Sequence, residues 1–504
     1  MSGSGKLLRV LSMTCVEIAN KLRKAAAVAV IAVMLAFLPA PSASAAEIHV
    51  PADYATIQSA VDHSSEDDTI IVSPGRYVEN VVVSGKVLNL RSIDPADPGI
   101  VAATTIDGSG LAPCVKFTQP KSLPPIGGSI QGFTVTNGTY GILFEHASIA
   151  AVKNLVIGNK GIGLVCAGPW GRTYAAMQIV ENTIINNESD GPAGVVAWGY
   201  VSPAIIGNLV IGNSSNYWGA IGISDAGEML VSGNLILGNS GPRGAGISAW
   251  NGIGLVTNNL ILGNQAEWGG GIELTETSDL VIANNTILSN RAKAMGGGIH
   301  MERSSGEIVN CTFAGNTAPQ GSELYVTRTG GSLLTRNLIQ GQKTGIVLSN
   351  ATITTLGNID ADPLFVDPGH WDDSGTPGDL TDDKFIPGDY HLLPASPCID
   401  AGTNDVDNPD TPEVETLPAT DIAGIPRVID GNRDGTATVD MGAYEYLPGD
   451  VNYDGKVNVL DLLNVRNSMG ADPASSLAAR KADLNADGRV DVLDLIAARN
   501  AVPR

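Results

Sequence analysis

A phrase that returns about every 26 residues constrains this chain more than anything else in it. Between residues 130 and 350 the sequence repeats Asn, two or three aliphatics, Gly or Asn, Asn, a loop and then Gly-Ile. The phrase reads NLVIGN at Asn154, NTIINN at Asn182, NLVIGN at Asn208, NLILGN at Asn234 and Asn259, and NTILSN at Asn285. CTFAGN follows at Cys311 and NLIQGQ at Asn337, giving intervals of 28, 26, 26, 25, 26, 26 and 26. So regular a period means stacked supersecondary units. Each unit is too short for a helix pair. Its apolar residues come in brief β-branched runs broken by Gly and Asn, the pattern of strands and turns.

The second Asn of each phrase also recurs, at Asn159, Asn187, Asn213, Asn239, Asn264, Asn290 and Asn316. Amides in register from unit to unit can stack into a ladder that satisfies the backbone groups of a turn. Only a parallel coil of strands places equivalent residues above one another at this period. The expected fold is therefore mainly β: a right-handed parallel β-helix with rungs about 4.8 Å apart. Tyr54, Ile57 and Val61 are spaced for a short amphipathic helix able to cover the first rung, since a solenoid must protect its open ends.

Residues 50–357 resemble the parallel β-helix superfamily, which contains pectate lyases, polygalacturonases, pectin esterases and alginate-modifying enzymes beside binding and structural proteins. The shared motifs are architectural and specify no reaction. The paired Asp, Gly-His-Gly and Arg-Ile-Lys set of polygalacturonases and the Asp-Pro-His-Asp of epimerases are absent. The strand after each Gly-Ile should turn Glu145, Trp198, Trp250, Glu273, His300, Glu302 and Tyr325 outward. Trp170, Trp218 and Trp268 lie in the loops just before such strands. Aromatics interleaved with carboxylates on a sheet face suit sugar rings, so Trp198, Trp250, Trp218, Trp268 and Tyr325 are candidate polysaccharide contacts. Glu273, His300 and Glu302 are the candidate catalytic cluster for a polysaccharide lyase or glycoside hydrolase. The same positions also suit a non-catalytic binding or surface-structural protein, in which Trp and Tyr pack on neighbouring rungs.

From Asn358 to Gly449 the repeat stops, and 20 acidic residues stand against 3 basic ones. Phrases such as NIDADPLFVDP and DGTATVDMGAYEY resemble a segment found after β-helices in secreted bacterial proteins. Leu364, Phe365, Tyr390, Leu392 and Leu393 are expected to pack on the last coil and close it. Asp430, Asn432, Asp434 and Gly435 begin a calcium loop, but its twelfth residue is Met441, so an acidic surface turn is expected there.

The C-terminus carries the most specific chemistry. DVNYDGKVNVLD runs from Asp450 to Asp461, and DLNADGRVDVLD from Asp483 to Asp494. Calcium takes six to eight hard oxygens near 2.4 Å, and a tight loop with Gly at its sixth position presents alternate side chains to it. The two loops resemble those of a dockerin, a duplicated EF-hand-like module with Asp at position twelve. That resemblance implies calcium held by Asp450, Asn452, Asp454, the Lys456 carbonyl, Asn458 and Asp461, and by Asp483, Asn485, Asp487, the Arg489 carbonyl, Asp491 and Asp494. It also implies a cohesin-like or cell-surface partner met by positions ten and eleven, here Val459-Leu460 and Val492-Leu493. The copies agree there, which implies two equivalent faces.

Lys21, Arg23 and Lys24 precede the apolar run Ala25–Leu38, and Ala43-Ser44-Ala45 offers a cleavage site, so residues 1–45 read as a signal peptide. The expected order is then 46–100 N-terminal cap and first strands, 101–357 repeats, 358–447 acidic cap region and 448–504 dockerin-like module. The expected location is extracellular or at the cell surface, with no membrane span in the mature chain. The 504-residue chain carries a net charge of −22, and losing five basic and one acidic residue (−22 − 5 + 1) takes it to −26. Such a field excludes nucleic acid as a partner. Cys114, Cys166, Cys311 and Cys398 form no CxxC or Cys/His grouping, which argues against zinc and leaves one disulfide or buried thiols open.

Overall fold

The computed structural model describes residues 45–119, 127–168, 175–376, 382–406 and 417–502. Residues 1–44 of the expected signal peptide and Trp170 lie outside the described residues. Three parallel sheets, of 13, 11 and 11 strands, run the length of a right-handed solenoid of about 11 turns. One turn illustrates all. Ile247–Trp250 lies in the second sheet, Ile253–Thr257 in the first and Leu260–Leu262 in the third, before the chain climbs to Ile272–Thr275. Every pairing within these sheets is in register, so Ile247, Ile272 and Ile299 stack directly. The interior is a continuous column of such aliphatics, among them Ile261, Ile287 and Phe313, all at most 1% exposed.

Asparagine holds the corners. Asn264 Nδ2 donates to the Asn290 side-chain oxygen (2.9 Å) and to Ile236 O (3.0 Å), while Asn264 Oδ1 accepts the backbone N–H of Asn239 (3.0 Å). This geometry repeats from Asn159 to Asn316, all nearly fully buried. The first Asn of each phrase builds a second ladder at the corner between the first and third sheets, from Asn154 to Asn285. Cys311 continues that ladder with its sulfur, before Asn337 and Asn358 resume it. Only the first of these ladders was expected from the sequence. The second arises because each corner leaves buried backbone groups that need partners.

The helix Ile57–His63 buries Ile57, Ala60 and Val61 against the first rungs, with Thr56 Oγ1 accepting the N–H of Ser59 (3.1 Å). Among its described residues, the segment after the solenoid packs on the flank rather than across the open end. It runs back along the flank, where Phe365, Phe385, Tyr390, Leu392, Tyr444 and Tyr446 bury outward leucines of the third sheet: Leu209, Leu235, Leu237, Leu260, Leu262, Leu288 and Leu338. In NLILGN the middle Ile261 points inward, so Leu260 and Leu262 face out and need cover. Three Asn residues with positive φ, Asn258, Asn284 and Asn310, donate to carbonyls of Thr420 (2.9 Å), Asp440 (3.2 Å) and Thr403 (2.8 Å) in that segment. Arg427, only 2% exposed, pairs with Glu445 (2.6 Å) and reaches Asn258. Burial drives the carboxyls of Glu445 and Asp440 upward, Asp440 to about 7. All four described cysteines are free and buried, and burial pushes the thiol of Cys311 up to about 12.

Candidate functional site

Two regions carry the residues singled out by the sequence. On the second sheet, Ser248, Glu273, His300 and Tyr325 share one outward column, and Trp198, Ser224, Trp250, Thr275 and Glu302 share the next. The face is not open, however. Loops rising from the third sheet fold over the first column, leaving Glu273 1%, His300 5% and Tyr325 6% exposed. The loop strands Gln265–Trp268 and Arg291–Met295 pair with each other as they cross.

Beneath them Glu273 is already partnered. Arg243 Nη1 lies 2.8 Å from Glu273 Oε1, and the Arg243 guanidinium sits 4.9 Å from the Trp268 ring centre. His300 Nδ1 is 3.6 Å from the same carboxylate oxygen, and its ring meets that of Tyr325 at 5.6 Å. Glu302 belongs to the other column and is held by Arg303 (2.9 Å) and Arg328 (3.0 Å). The three candidate catalytic groups thus divide, with Glu273 and His300 in near contact and Glu302 engaged elsewhere. The three positions are outward as the alternation implies, but Glu273 and His300 lie under the loops, since alternation gives the direction of a side chain and not what lies over it.

Among the candidate aromatics, Trp250 is exposed, and its Nε1 donates to Glu276 (3.2 Å). Trp198 and Trp218 are half-buried against Ile162, Val165 and Val196, and Trp218 lies over Gly222, where a Cβ would meet its ring at 3.0 Å. Tyr325 is packed away and Trp268 is half-buried under Arg243. Two exposed aromatics escaped the sequence reading, Tyr200 and Tyr217. They stand outside the repeating phrase, so the period gave no signal for them.

The C-terminal region folds as two loops leading into helices Val459–Ser468 and Val492–Ala501. In the first loop Asp450 Oδ2 accepts the N–H of Gly455 (2.8 Å), and Asn452 Oδ1 accepts that of Asp454 (3.0 Å). Asp461 takes the backbone N–H groups of Val451 (2.9 Å) and Asn458 (2.8 Å). The second loop repeats this with Asp483 on Gly488 (2.9 Å), Asn485 on Asp487 (3.0 Å), and Asp494 on Leu484 and Asp491 (both 2.8 Å). Asn458 and Asp491 each cap their helix in a reciprocal box with the Asp three residues on. Burial, with Asp461 and Asp454 nearby, raises the Asp450 carboxyl to about 6.

Among the described residues no three His, Cys, Asp or Glu side chains converge as a closed cage. The loops instead mix the carboxylates of Asp450, Asp454, Asp461, Asp483, Asp487 and Asp494 with the side-chain oxygens of Asn452, Asn458 and Asn485. Hard, all-oxygen donors crowded with carboxylate charge fit a calcium ion. Val459, Leu460, Val492 and Leu493 stand on the first turns of the two helices, all more than half exposed. One turn further on, Leu463 and Ile496 are also exposed, which extends each apolar patch. The acidic turn Asp430–Gly435 copies the start of these loops, with Asp430 accepting the N–H of Gly435 (3.0 Å). Asp440 instead turns inward to the N–H groups of Asp400 (2.7 Å) and Tyr446 (2.6 Å).

A parallel solenoid joined to a paired loop-helix module defines a modular protein, one part built for extended surface and the other for docking. A family model for the right handed beta helix region matches residues 126–318 and 246–362, and one for the dockerin type I domain matches residues 448–502. The chain is a right-handed β-helix protein with a dockerin type I domain at its C-terminus. Dockerin type I domains in general bind calcium and cohesins. The crystal structure of pectate lyase Pel9A overlaps with a TM-score of 0.37 at 13% identity, covering 77% of this chain and 90% of that one. So loose an overlap carries no argument about chemistry. A search of curated proteins found no match. Among the described residues no helix is long and apolar enough to cross a membrane.

Proposed function

We propose that this is an exported protein whose solenoid binds a polysaccharide and whose dockerin domain fixes it, with calcium, to a cohesin-type partner. The observation that carries the reading is the near-identity of the two C-terminal loops, each followed by an exposed Val-Leu pair on the first helical turn. Asp450, Asn452, Asp454, Lys456, Asn458 and Asp461 would hold one calcium ion. Asp483, Asn485, Asp487, Arg489, Asp491 and Asp494 would hold the other. The ions bind the loops together, because a core made of Val451, Val465, Ala479, Ala482, Val490 and Ala498 is small. Val459, Leu460, Val492 and Leu493 offer dry surface to the partner. The column of Trp198, Ser224 and Trp250 supports sugar binding, since stacked rungs set its two indoles about 10 Å apart along the solenoid axis.

Degradation of the polysaccharide is the second reading, and the near contact of Glu273 with His300 favours it. The test is to incubate the protein with a panel of uronate and neutral polysaccharides in calcium. Ultraviolet absorbance from unsaturated ends and reducing-end release are both followed. Retention on one polysaccharide without product supports binding. Product that vanishes in Glu273→Ala, His300→Ala and Glu302→Ala supports an enzyme. Neither retention nor product overturns both readings of the solenoid.

A further inference from the structure

The two calcium loops differ at their fourth position, Tyr453 in the first and Ala486 in the second, although the backbone there is the same (φ 54° and 55°). Tyr453 does not face solvent. Its ring is 8% exposed and packs with Val366, Leu393 and Leu364 of the flank segment. Its hydroxyl donates to Leu392 O at 2.9 Å. Lys481 Nζ stands 4.6 Å from the ring centre and 3.8 Å from Asp389, and the His391 ring meets Tyr453 at 4.9 Å. The connection is equally tight. Tyr446 is buried in the flank core, and only Leu447-Pro448-Gly449 separates it from Asp450. At Gly449 (φ +97°) a Cβ would lie 2.6 Å from that of Ala501, so this residue lets the chain pass against the last helix. Arg433 adds a bond from the flank to Ala497 O (3.4 Å).

We propose that Tyr453 is a clasp that couples calcium in the first loop to seating of the dockerin domain on the solenoid's flank. This rests on the reading of the loops as calcium sites. Tyr453 lies between two ligands, Asn452 and Asp454, so holding it fixes the backbone that presents both. The first loop is then held from outside before the ion arrives, whereas Ala486 gives the second loop no such hold on the flank. By linkage, calcium in the first loop strengthens the flank contact by the same factor. The domain is therefore held in one orientation on the β-helix, and its two apolar faces are inequivalent in setting although alike in sequence.

Calcium titration of the full chain by calorimetry, paired with amide hydrogen exchange, tests this. The wild-type protein should show two site classes at least about tenfold apart, a coupling typical of linked sites. Tyr453→Ala should lower the tighter class to the level of the weaker one and leave the weaker unchanged. Tyr453→Phe, which keeps the ring and loses one hydrogen bond, should fall between. In the wild type, calcium removal should speed exchange in Asp389–Leu392, and Asp483→Ala, which disables only the second loop, should preserve that response. Equal affinities in wild type and Tyr453→Phe, or flank exchange indifferent to calcium, would overturn the coupling while leaving the calcium sites intact. No calcium uptake at either loop would remove the underlying reading as well.

Discussion

Replacing Asn239 by alanine tests the physical basis of the solenoid in one position. Asn239 is fully buried. Its side-chain oxygen accepts the backbone N–H of Asn213 (2.9 Å) and one amide hydrogen of the Asn213 side chain (3.1 Å). Its nitrogen donates to Val210 O (2.9 Å) and to Asn264 Oδ1 (3.0 Å). Asn239→Ala removes all four bonds, yet the losses are unequal. Asn264 Oδ1 keeps the backbone N–H of Asn239 (3.0 Å). The two donors of Asn213 lose their acceptor in a site closed to water. Leaving a buried donor unsatisfied costs about 1–3 kcal/mol, so the variant should lose roughly 2–6 kcal/mol. Asn216→Ala, which removes an exposed bond to Asp190 (3.2 Å), should change stability by less than about 0.5 kcal/mol. Urea unfolding followed by tryptophan fluorescence measures both. A shift for Asn239→Ala no larger than for Asn216→Ala would refute the idea that the ladder supports the stack.

Other outcomes follow from the same structure. Glu323 replaces the glycine of earlier coils and accepts the last amide of the ladder, from Asn316 (2.5 Å), and burial raises its carboxyl from 4.5 to about 8. The folded protein therefore binds a proton that the unfolded chain releases, and this contribution is full below pH 4.5 and lost as pH rises through 8. Glu323→Gln should remove a slope of about 1.4 kcal/mol per pH unit within that window, read from urea midpoints between pH 5 and 8. A chelator should abolish the circular dichroism of the C-terminal helices while leaving the β signal, and an unchanged spectrum would contradict calcium-dependent folding there. Changing either Val459-Leu460 or Val492-Leu493 to Asp-Asp should weaken capture by a cohesin-type partner, and changing both should abolish it in a pull-down. Trp250→Ala should reduce retention on a bound polysaccharide about tenfold in affinity electrophoresis, consistent with loss of one stacked ring.

Several features were legible because the information lies within a short stretch of chain. A period near 26 residues is a statement about stacking, and parallel rungs then align every equivalent residue whatever the loops do. The paired loop-helix units are legible for the same reason, since twelve consecutive residues lead straight into each helix. The helix over the first rung follows from the spacing of Ile57 and Val61.

What tertiary structure decided concerns cover. Alternation directs Glu273, His300 and Tyr325 outward, and only the folded loops bury them, with Arg243 arriving from the preceding coil to neutralise Glu273. The paired leucines of NLILGN signal a third buried face, but the sequence does not say that the acidic segment lies along the flank, from Leu209 to Leu338, to cover it. Tyr453 and Ala486 look like a neutral difference until Leu392, Leu393 and Val366 are seen beside one of them. Periodicity and short motifs fix backbone path and side-chain direction because they act between near neighbours. Burial, ion pairing and the inequivalence of two similar loops depend on segments tens to hundreds of residues apart, and only the assembled solenoid brings these together.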